Sequence, residues 1–172
     1  MVVYMAVHAN ALLCSDVTGT LNAVNVYRKL HQVGNLKWDP VMEKGSSDYA
    51  NMLAAGGCKL VHSKNAGLLG ECLYMQSRGN NVTMDCKPGI DAWYSESKIY
   101  KYTKTPYTSN NFMSIGHFTQ LVWKTGTRVG CGIARGLFMK RSPCKVIVCR
   151  FVPGGNTPTN AAFLANVLPP RP

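Results

Sequence analysis

The chain has 172 residues, of which 46% are hydrophobic and 16% are charged. This composition is too apolar for a disordered chain, and no run reaches the ~20 apolar residues of a membrane-spanning helix. Nineteen Lys and Arg against eight Asp and Glu give a net charge of +11, which favours acidic partners such as anionic membranes or glycans. The sequence carries none of the established nucleic-acid-binding motifs, so nucleic acid is not an expected partner.

Seven cysteines without a CxxC pair argue against a zinc ribbon and for structural disulfides, which form in an oxidising compartment. We therefore predict a secreted, extracellular protein. Residues 1–16 are predicted to be an N-terminal extension or a truncated signal segment, because the apolar start runs into Ala9-Asn10-Ala11. Residues 17–172 are predicted to form one domain.

The first half of the domain has helical patterns. Apolar residues recur every third position between Val17 and Val33, which predicts a first helix. Asp39, as N-cap, and Pro40, in the first turn, predict a second helix that ends at Gly56-Gly57. The inward face of this second helix is expected to comprise Tyr49, Met52 and Leu53.

The second half alternates between strand and helix patterns. A strand is predicted near Gly70 to Met75, a third helix through Ile90 to Ser97, strands at Phe118 to Lys124, Arg128 to Ala134 and Lys145 to Val152, and a last helix at Ala161 to Val167. Helices interleaved with hairpin-connected strands favour an α+β sandwich with a central antiparallel sheet over a doubly wound α/β fold.

Three motifs carry a resemblance to a known family. They are GHFTQLVW at Gly116–Trp123 followed by Gly130-Cys131-Gly132, VCRFVPGGN at Val148–Asn156, and CKLVHS at Cys58–Ser63 with Gly70-Glu71 soon after. In kind, order and spacing they resemble the CAP superfamily of cysteine-rich secretory, antigen 5 and pathogenesis-related proteins. The ending Asn166–Pro170 is similar to the Golgi-associated plant pathogenesis-related branch. The resemblance implies a three-layer α-β-α sandwich.

The resemblance also implies disulfides, with three departures from the family pattern at Cys72, Gly126 and Phe151. The implied pairs are Cys131 with Cys149 and Cys58 with Cys144. We further expect Cys72 to pair with Cys86, which leaves Cys14 as a free or intermolecular thiol.

The family places two histidines and two glutamates in an open cleft, and the matching residues are His62, Glu71, Glu96 and His117. Imidazoles beside carboxylates are suited to a divalent metal such as zinc, with His62 and His117 as ligands. A hydrogen-bonded polar cluster without metal is the alternative. A metal-dependent hydrolase is disfavoured, since such enzymes normally have three protein ligands.

A polar loop contains four aromatic residues, Tyr100, Tyr102, Tyr107 and Phe112. Family members that bind sterols carry an aromatic loop here, although they continue with Pro-Gly-aromatic where this chain has Pro106-Tyr107-Thr108. We expect a binding protein for a sterol or another apolar lipid. Two alternatives stay open: the loop packs on its own helix, or the protein is a defence or interaction module that binds a receptor.

Residues outside these motifs are expected to be structural. Trp38, Trp93 and Trp123 lie in apolar periodic runs and are expected to anchor the core. No role is assigned to His8 or His31. Neither Ser63 nor Ser95 lies in a GxSxG nucleophile turn, so neither is expected to be a catalytic nucleophile.

Overall fold

The computed structural model describes residues 12–64, 66–77 and 83–171. The predicted N-terminal segment lies almost entirely outside these residues and stays a prediction. The helices are α1 (Val17–Leu30), α2 (Pro40–Ala55), α3 (Ala66–Leu69), α4 (Lys87–Ser95), α5 (Pro106–Ser109), α6 (Gly116–Leu121) and α7 (Asn160–Asn166), with 3₁₀ turns at Glu96–Lys98 and Phe112–Ser114. The strands are β1 (Leu12–Leu13), β2 (Lys37–Trp38), β3 (Glu71–Ser77), β4 (Arg128–Phe138) and β5 (Ser142–Val152).

The described strands form one sheet in the order β1-β4-β5-β3, with all neighbours antiparallel. Its centre is the long hairpin of β4 and β5, which pairs from Arg128 with Val152 to Phe138 with Ser142. The short strand β2 adds a parallel pairing to β4. The predicted central antiparallel sheet is therefore confirmed, with this one parallel edge added.

The two faces of the sheet bury different cores, which makes the fold a three-layer sandwich. One face packs Leu73, Ala134, Val146 and Val148 against Ala50, Leu53 and Ala54 of α2. The other packs Val129, Cys131, Ile133, Ile147 and Phe151 against Val24, Ile90, Trp93 and Leu121 of α1, α4 and α6. The α-β-α architecture expected from the motifs is confirmed. No helix among the described residues is both long and apolar enough to cross a membrane.

Helix α2 lies at backbone contact with β4 because small residues face it. A Cβ atom built on Gly130 would lie 2.2 Å from the backbone nitrogen of Glu43, and one on Gly132 would lie 2.2 Å from that of Ser47. Both distances are far shorter than a van der Waals contact. The glycines in the GCG motif are thus required by the close approach of helix to strand.

We expect Gly132→Ala to destabilise the fold by about 2 kcal/mol, since the added methyl forces α2 away from β4. Urea-induced unfolding followed by circular dichroism measures the change. Gly34→Ala is the matched control, because a Cβ there meets nothing within 4 Å. Equal stability of the two variants would contradict this reading of the helix–strand contact.

Most helix boundaries agree with the sequence patterns. Asp39 caps α2 as predicted, since its Oδ1 accepts hydrogen bonds from the amides of Val41 and Met42. The predicted inward position of Met52 is wrong: its side chain is 55% exposed, and the buried face is formed by its neighbours Ala50, Leu53 and Ala54. Helix α1 ends at Leu30, earlier than predicted, because Gln32 adopts a left-handed φ of 59°.

The strand predicted at Phe118 to Lys124 is wrong, because residues Gly116–Leu121 form helix α6. Phe118, Leu121 and Val122 are fully buried and follow the i, i+3, i+4 spacing of a helix, and the polar residues Thr119 and Gln120 between them are buried as well. The carboxylate of Glu96 accepts hydrogen bonds from the first amides of this helix and fixes its start.

The predicted bridges Cys58–Cys144 and Cys131–Cys149 are both present, but the predicted Cys72–Cys86 bridge is wrong. Cys86 pairs instead with Cys14, at a Cα–Cα distance of 5.5 Å. Cys72 is a buried free thiol. Its neighbour across the sheet is Cys149, which is already bonded to Cys131, so Cys72 has no partner cysteine to reach.

Candidate functional site

The cleft residues come from four separate elements. His62 lies between α2 and α3, Glu71 begins β3, Glu96 follows α4, and His117 lies in the first turn of α6. His62, Glu71 and His117 line a pocket of about 110 Å³, together with Phe112 and Asn156. The fold thus gathers residues that are up to 94 positions apart in the sequence, from His62 to Asn156.

Glu71 is a fully buried carboxylate held by three neighbours. Oε1 lies 3.0 Å from Nδ1 of His62 and accepts the Ser63 amide, while Oε2 accepts the Ser63 hydroxyl and two donors of Arg150. Burial by itself would raise the pKa of Glu71, but these hydrogen bonds lower it to about 2. Arg150 in turn lies over the ring of Tyr49, which links α2 to the cleft.

Glu96 holds the second histidine in the same way. Its Oε1 lies 2.7 Å from Nδ1 of His117, and its Oε2 accepts the amides of His117 and Phe118. The ring of Trp93 stacks on the imidazole at 5.9 Å between centroids. Side-chain and backbone contacts together fix both the position and the orientation of His117.

The His62–Glu71 and His117–Glu96 pairs decide which imidazole nitrogen faces a ligand. Each imidazole uses Nδ1 to bind its carboxylate, so Nε2 of His62 and of His117 are the nitrogens left to bind a ligand in the cleft. This is the carboxylate–histidine arrangement that supports metal ligands in proteins. Among the described residues, however, no cluster of three or more His, Cys, Asp or Glu side chains is arranged to hold a metal ion.

The cleft continues into a larger pocket of about 460 Å³ lined by residues 154–158. Its wall is fixed by Asn156, which accepts a hydrogen bond from the Thr119 hydroxyl and donates to the Gly116 carbonyl. Asn156 was not among the predicted site residues, although it closes the second motif. Its left-handed φ of 59° is a feature that asparagine tolerates well.

The aromatic loop packs largely on the protein itself. Tyr100 is buried against Phe118, and the ring of Tyr107 lies 5.4 Å from that of Phe163. Burial raises the pKa of Tyr100 to about 12. Three large side chains of this region face outward, those of Tyr102, 42% exposed, Phe112, 40% exposed, and Met113, 84% exposed. Met113 was not predicted as a site residue.

Tyr102 reaches toward a histidine to which the sequence assigned no role. His31 is fully buried, its Nδ1 donates to the Leu168 carbonyl at 2.7 Å, and its Nε2 lies 3.1 Å from the Tyr94 hydroxyl. The Tyr102 hydroxyl lies 3.4 Å from the same Nδ1. Burial lowers the pKa of His31. This histidine joins α1 to the C-terminal segment and is a structural residue.

The candidate serines are bonded to groups other than histidine. The Ser63 hydroxyl donates to Glu71, and the Ser95 hydroxyl donates to the carbonyl of Ala92. A serine nucleophile needs a general base within hydrogen-bonding reach. The observed bonds give Ser63 a role in holding Glu71 in place.

Solved structures share this fold. NaASP2, crystallised with Zn²⁺, is 19% identical and superposes with a TM-score of 0.62 over 88% of this chain and 84% of its own. Venom allergen-like protein 4 of Schistosoma mansoni is 18% identical, with a TM-score of 0.56 over 90% and 96% of the two chains.

Sequence relatives cover the same region. The human Golgi-associated plant pathogenesis-related protein 1 is 33% identical over 88% of this chain and 91% of its own, and pathogenesis-related protein 1 of Arabidopsis thaliana is 33% identical over 79% and 75%. Repressed by EFG1 protein 1 of Candida albicans is 32% identical over 85% of this chain, which spans about half, 51%, of that relative. The model of the cysteine-rich secretory protein family matches residues 21–151, and this chain belongs to that family, the CAP family.

Proposed function

We propose that this chain is an extracellular binding protein whose cleft holds a divalent cation, with zinc as the first candidate, on Nε2 of His62 and His117. One observation carries the proposal: Nδ1 of each ring is already bonded to a glutamate, at 3.0 Å and 2.7 Å. A neutral imidazole bonded in this way keeps its proton on Nδ1 and offers the Nε2 lone pair. The three disulfides fit an extracellular setting.

The donor set fits a carrier or bridging site better than a hydrolase. Two histidines would leave the remaining positions of a bound zinc to water or to a ligand, whereas catalytic zinc normally has three protein ligands. When bound, the cation would supply a positive charge and open coordination positions. Glu71 and Glu96 would orient the rings, and the hydrogen bonds from Arg150 and Ser63 would keep Glu71 ionised.

Zinc titration of metal-free protein by calorimetry tests this proposal. We expect one site in the wild type and at least tenfold weaker binding in His62→Ala/His117→Ala. Glu96→Gln should weaken zinc binding about 10- to 100-fold, because His117 loses its orienting carboxylate. His8→Ala, outside the motifs, is the control. Stoichiometric zinc binding that survives in the double histidine variant would refute the assignment.

An apolar lipid, such as a sterol or a fatty acid, is a second candidate ligand. The observation that favours it is the pair of exposed side chains at Phe112 and Met113, both of which line the cleft. Large adjacent apolar side chains on a surface are typical of binding sites. Tyr100, which is buried, would support this surface from beneath.

We expect saturable binding of labelled cholesterol by the wild type and at least fivefold weaker binding by Phe112→Ser/Met113→Ser. Both side chains are exposed, so the fold should survive, whereas Tyr100→Ala would open the core. Val41→Ser, which changes an exposed apolar residue of α2, is the matched control. Unchanged cholesterol binding in the double variant would show that Phe112 and Met113 do not form the lipid-binding surface.

A further inference from the structure

Three cysteines form a row across the central sheet. Cys72 on β3 lies opposite Cys149 on β5, and Cys149 lies opposite Cys131 on β4. Directly opposed residues of an antiparallel sheet point to the same face, and all three side chains are buried in the core beneath α1, α4 and α6. Cys131 and Cys149 are bonded to each other, and Cys72 is a free thiol. The free thiol therefore lies beside a disulfide.

The pairing register places Cys72 close enough to Cys149 for a disulfide. The amide of Phe151 donates to the carbonyl of Gly70, and the pattern alternates along antiparallel strands, so Cys72 and Cys149 form a hydrogen-bonded pair. The Cα atoms of such a pair lie about 5.5 Å apart, within the roughly 4.4 to 6.8 Å of disulfides. Their Cβ atoms have to approach by about 1 Å. Strand β3 can make this shift because it is an edge strand among the described strands.

The order of the strands favours displacement at the sulfur of Cys149. Thiol–disulfide exchange proceeds by attack of a thiolate on one disulfide sulfur, and the other sulfur leaves on the opposite side. Strand β5 lies between β3 and β4, so Cys72 approaches Cys149 from the side opposite Cys131. Cys72 and Cys131 themselves lie two strands apart, roughly 9 to 10 Å, which is too far for a bond between them.

We infer that Cys149 is a shared disulfide partner, and that Cys72 displaces Cys131 from it inside the folded protein. Cys72 gives up its proton, and its sulfur forms a bond to the sulfur of Cys149. The bond between Cys131 and Cys149 breaks, and Cys131 leaves as a thiolate that takes up a proton. One disulfide and one thiol are present before and after, so the exchange consumes neither an oxidant nor a reductant.

The burial of Cys72 sets the conditions for this exchange. The side chain is only 1% exposed, but attack on the neighbouring disulfide requires no access from solvent. Burial raises the pKa of the Cys72 thiol well above its ordinary value, and the charges of Glu96 and Glu71 raise it further. Because the thiolate is the nucleophile, the exchange is slow at neutral pH.

The exchange moves a covalent link from the β4–β5 hairpin to the strand that begins at the cleft. The observed bond ties β4 to β5, whereas a Cys72–Cys149 bond ties β5 to β3. Cys72 follows Glu71, and Cys149 precedes Arg150, which donates to the Glu71 carboxylate. The new bond would therefore crosslink the two strands beside this ion pair and hold Glu71 in place.

Mapping of the free and bonded cysteines in the wild type tests the inference. The protein is kept at pH 8.5 without added thiols and is then unfolded in guanidinium at pH 4 with N-ethylmaleimide, since scarce thiolate stops further exchange. Digestion without reduction and mass spectrometry locate the label. We expect at least tenfold more label on Cys131 than in the control Cys72→Ser, and a linked peptide that joins Cys72 to Cys149. Label confined to Cys72 would overturn the inference.

Two serine variants, refolded with oxidised and reduced glutathione, test the geometry independently. Cys131→Ser releases Cys149, which should bond to Cys72 and leave no free thiol. Cys149→Ser leaves Cys72 and Cys131 two strands apart, so two free thiols should remain. Circular dichroism verifies folding. Two free thiols in folded Cys131→Ser would overturn the inference, and if that variant does not fold, the mapping of the wild type decides by itself.

Discussion

Replacing Arg28 with leucine is expected to destabilise the protein by about 3 to 5 kcal/mol, the largest effect of any single change considered. Arg28 is fully buried, yet among the described residues it bonds to backbone carbonyls and forms no ion pair with a carboxylate. Its guanidinium donates to the carbonyls of Gly34, Leu121, Trp123 and Gly126 at 2.7 to 3.1 Å. Burial lowers its pKa to about 10, so the side chain stays charged at neutral pH.

Leucine would fill part of the volume but would leave those carbonyls without donors, and each buried unpaired polar group costs about 1 to 3 kcal/mol. Urea unfolding at pH 7 measures the difference in the free energy of unfolding between Arg28→Leu and the wild type. Lys29→Leu, which changes the exposed neighbour on α1, should shift stability by less than about 0.5 kcal/mol. If the free energy of unfolding of Arg28→Leu lies within 1 kcal/mol of the wild-type value, water must donate the hydrogen bonds that the guanidinium donates in the wild type.

Glu71→Gln is expected to cost roughly 3 kcal/mol at pH 7, with the cost disappearing in acid. The hydrogen bonds from His62, Ser63 and Arg150 lower the pKa of Glu71 from 4.5 to about 2, which corresponds to that free energy. The folded state thus holds this carboxylate ionised where the unfolded chain takes up a proton. The stabilisation is complete above about pH 4.5 and is lost as the pH falls towards 2.

Urea unfolding of wild type and Glu71→Gln between pH 2.5 and 7, with EDTA present, measures this dependence. The difference between the two proteins should be largest at pH 7 and shrink steadily below pH 4.5. Asp48→Asn is the matched control, because Asp48 forms an exposed i,i+4 pair with Lys44 that contributes little. If the difference in the free energy of unfolding between wild type and Glu71→Gln does not vary with pH, the destabilisation comes from lost packing and not from the lost charge.

Local signals allowed the sequence to predict α2 and the β4–β5 hairpin well. Asp39 and Pro40 begin α2 as predicted, because capping depends on neighbouring residues alone. Strand-forming runs at Arg128 and Lys145 fall within the observed strands, although the hairpin extends further toward its turn. The bridge between Cys131 and Cys149, which the family resemblance implied, joins two residues that face each other across these strands.

Other predictions failed where the answer depends on distant residues. The start of the helix that contains Phe118 depends on Glu96, 22 positions away in the sequence, whose carboxylate accepts hydrogen bonds from its first amides. Cys86 pairs with Cys14 because the β1 edge brings the two together, a proximity that spacing along the chain does not reveal. The patterns also gave no sign that Lys145 would be buried, with its ammonium bonded to the carbonyls of Thr83 and Asp85.

For this protein, the sequence alone determined the family, the α+β class and the identity of the cleft residues, because motifs and caps are short and local. The tertiary structure decided how those residues act: which imidazole nitrogen remains for a ligand, and that Tyr100 supports the core while Met113 faces outward. Such features arise from contacts between residues far apart in the chain, so they appear only once the chain has folded.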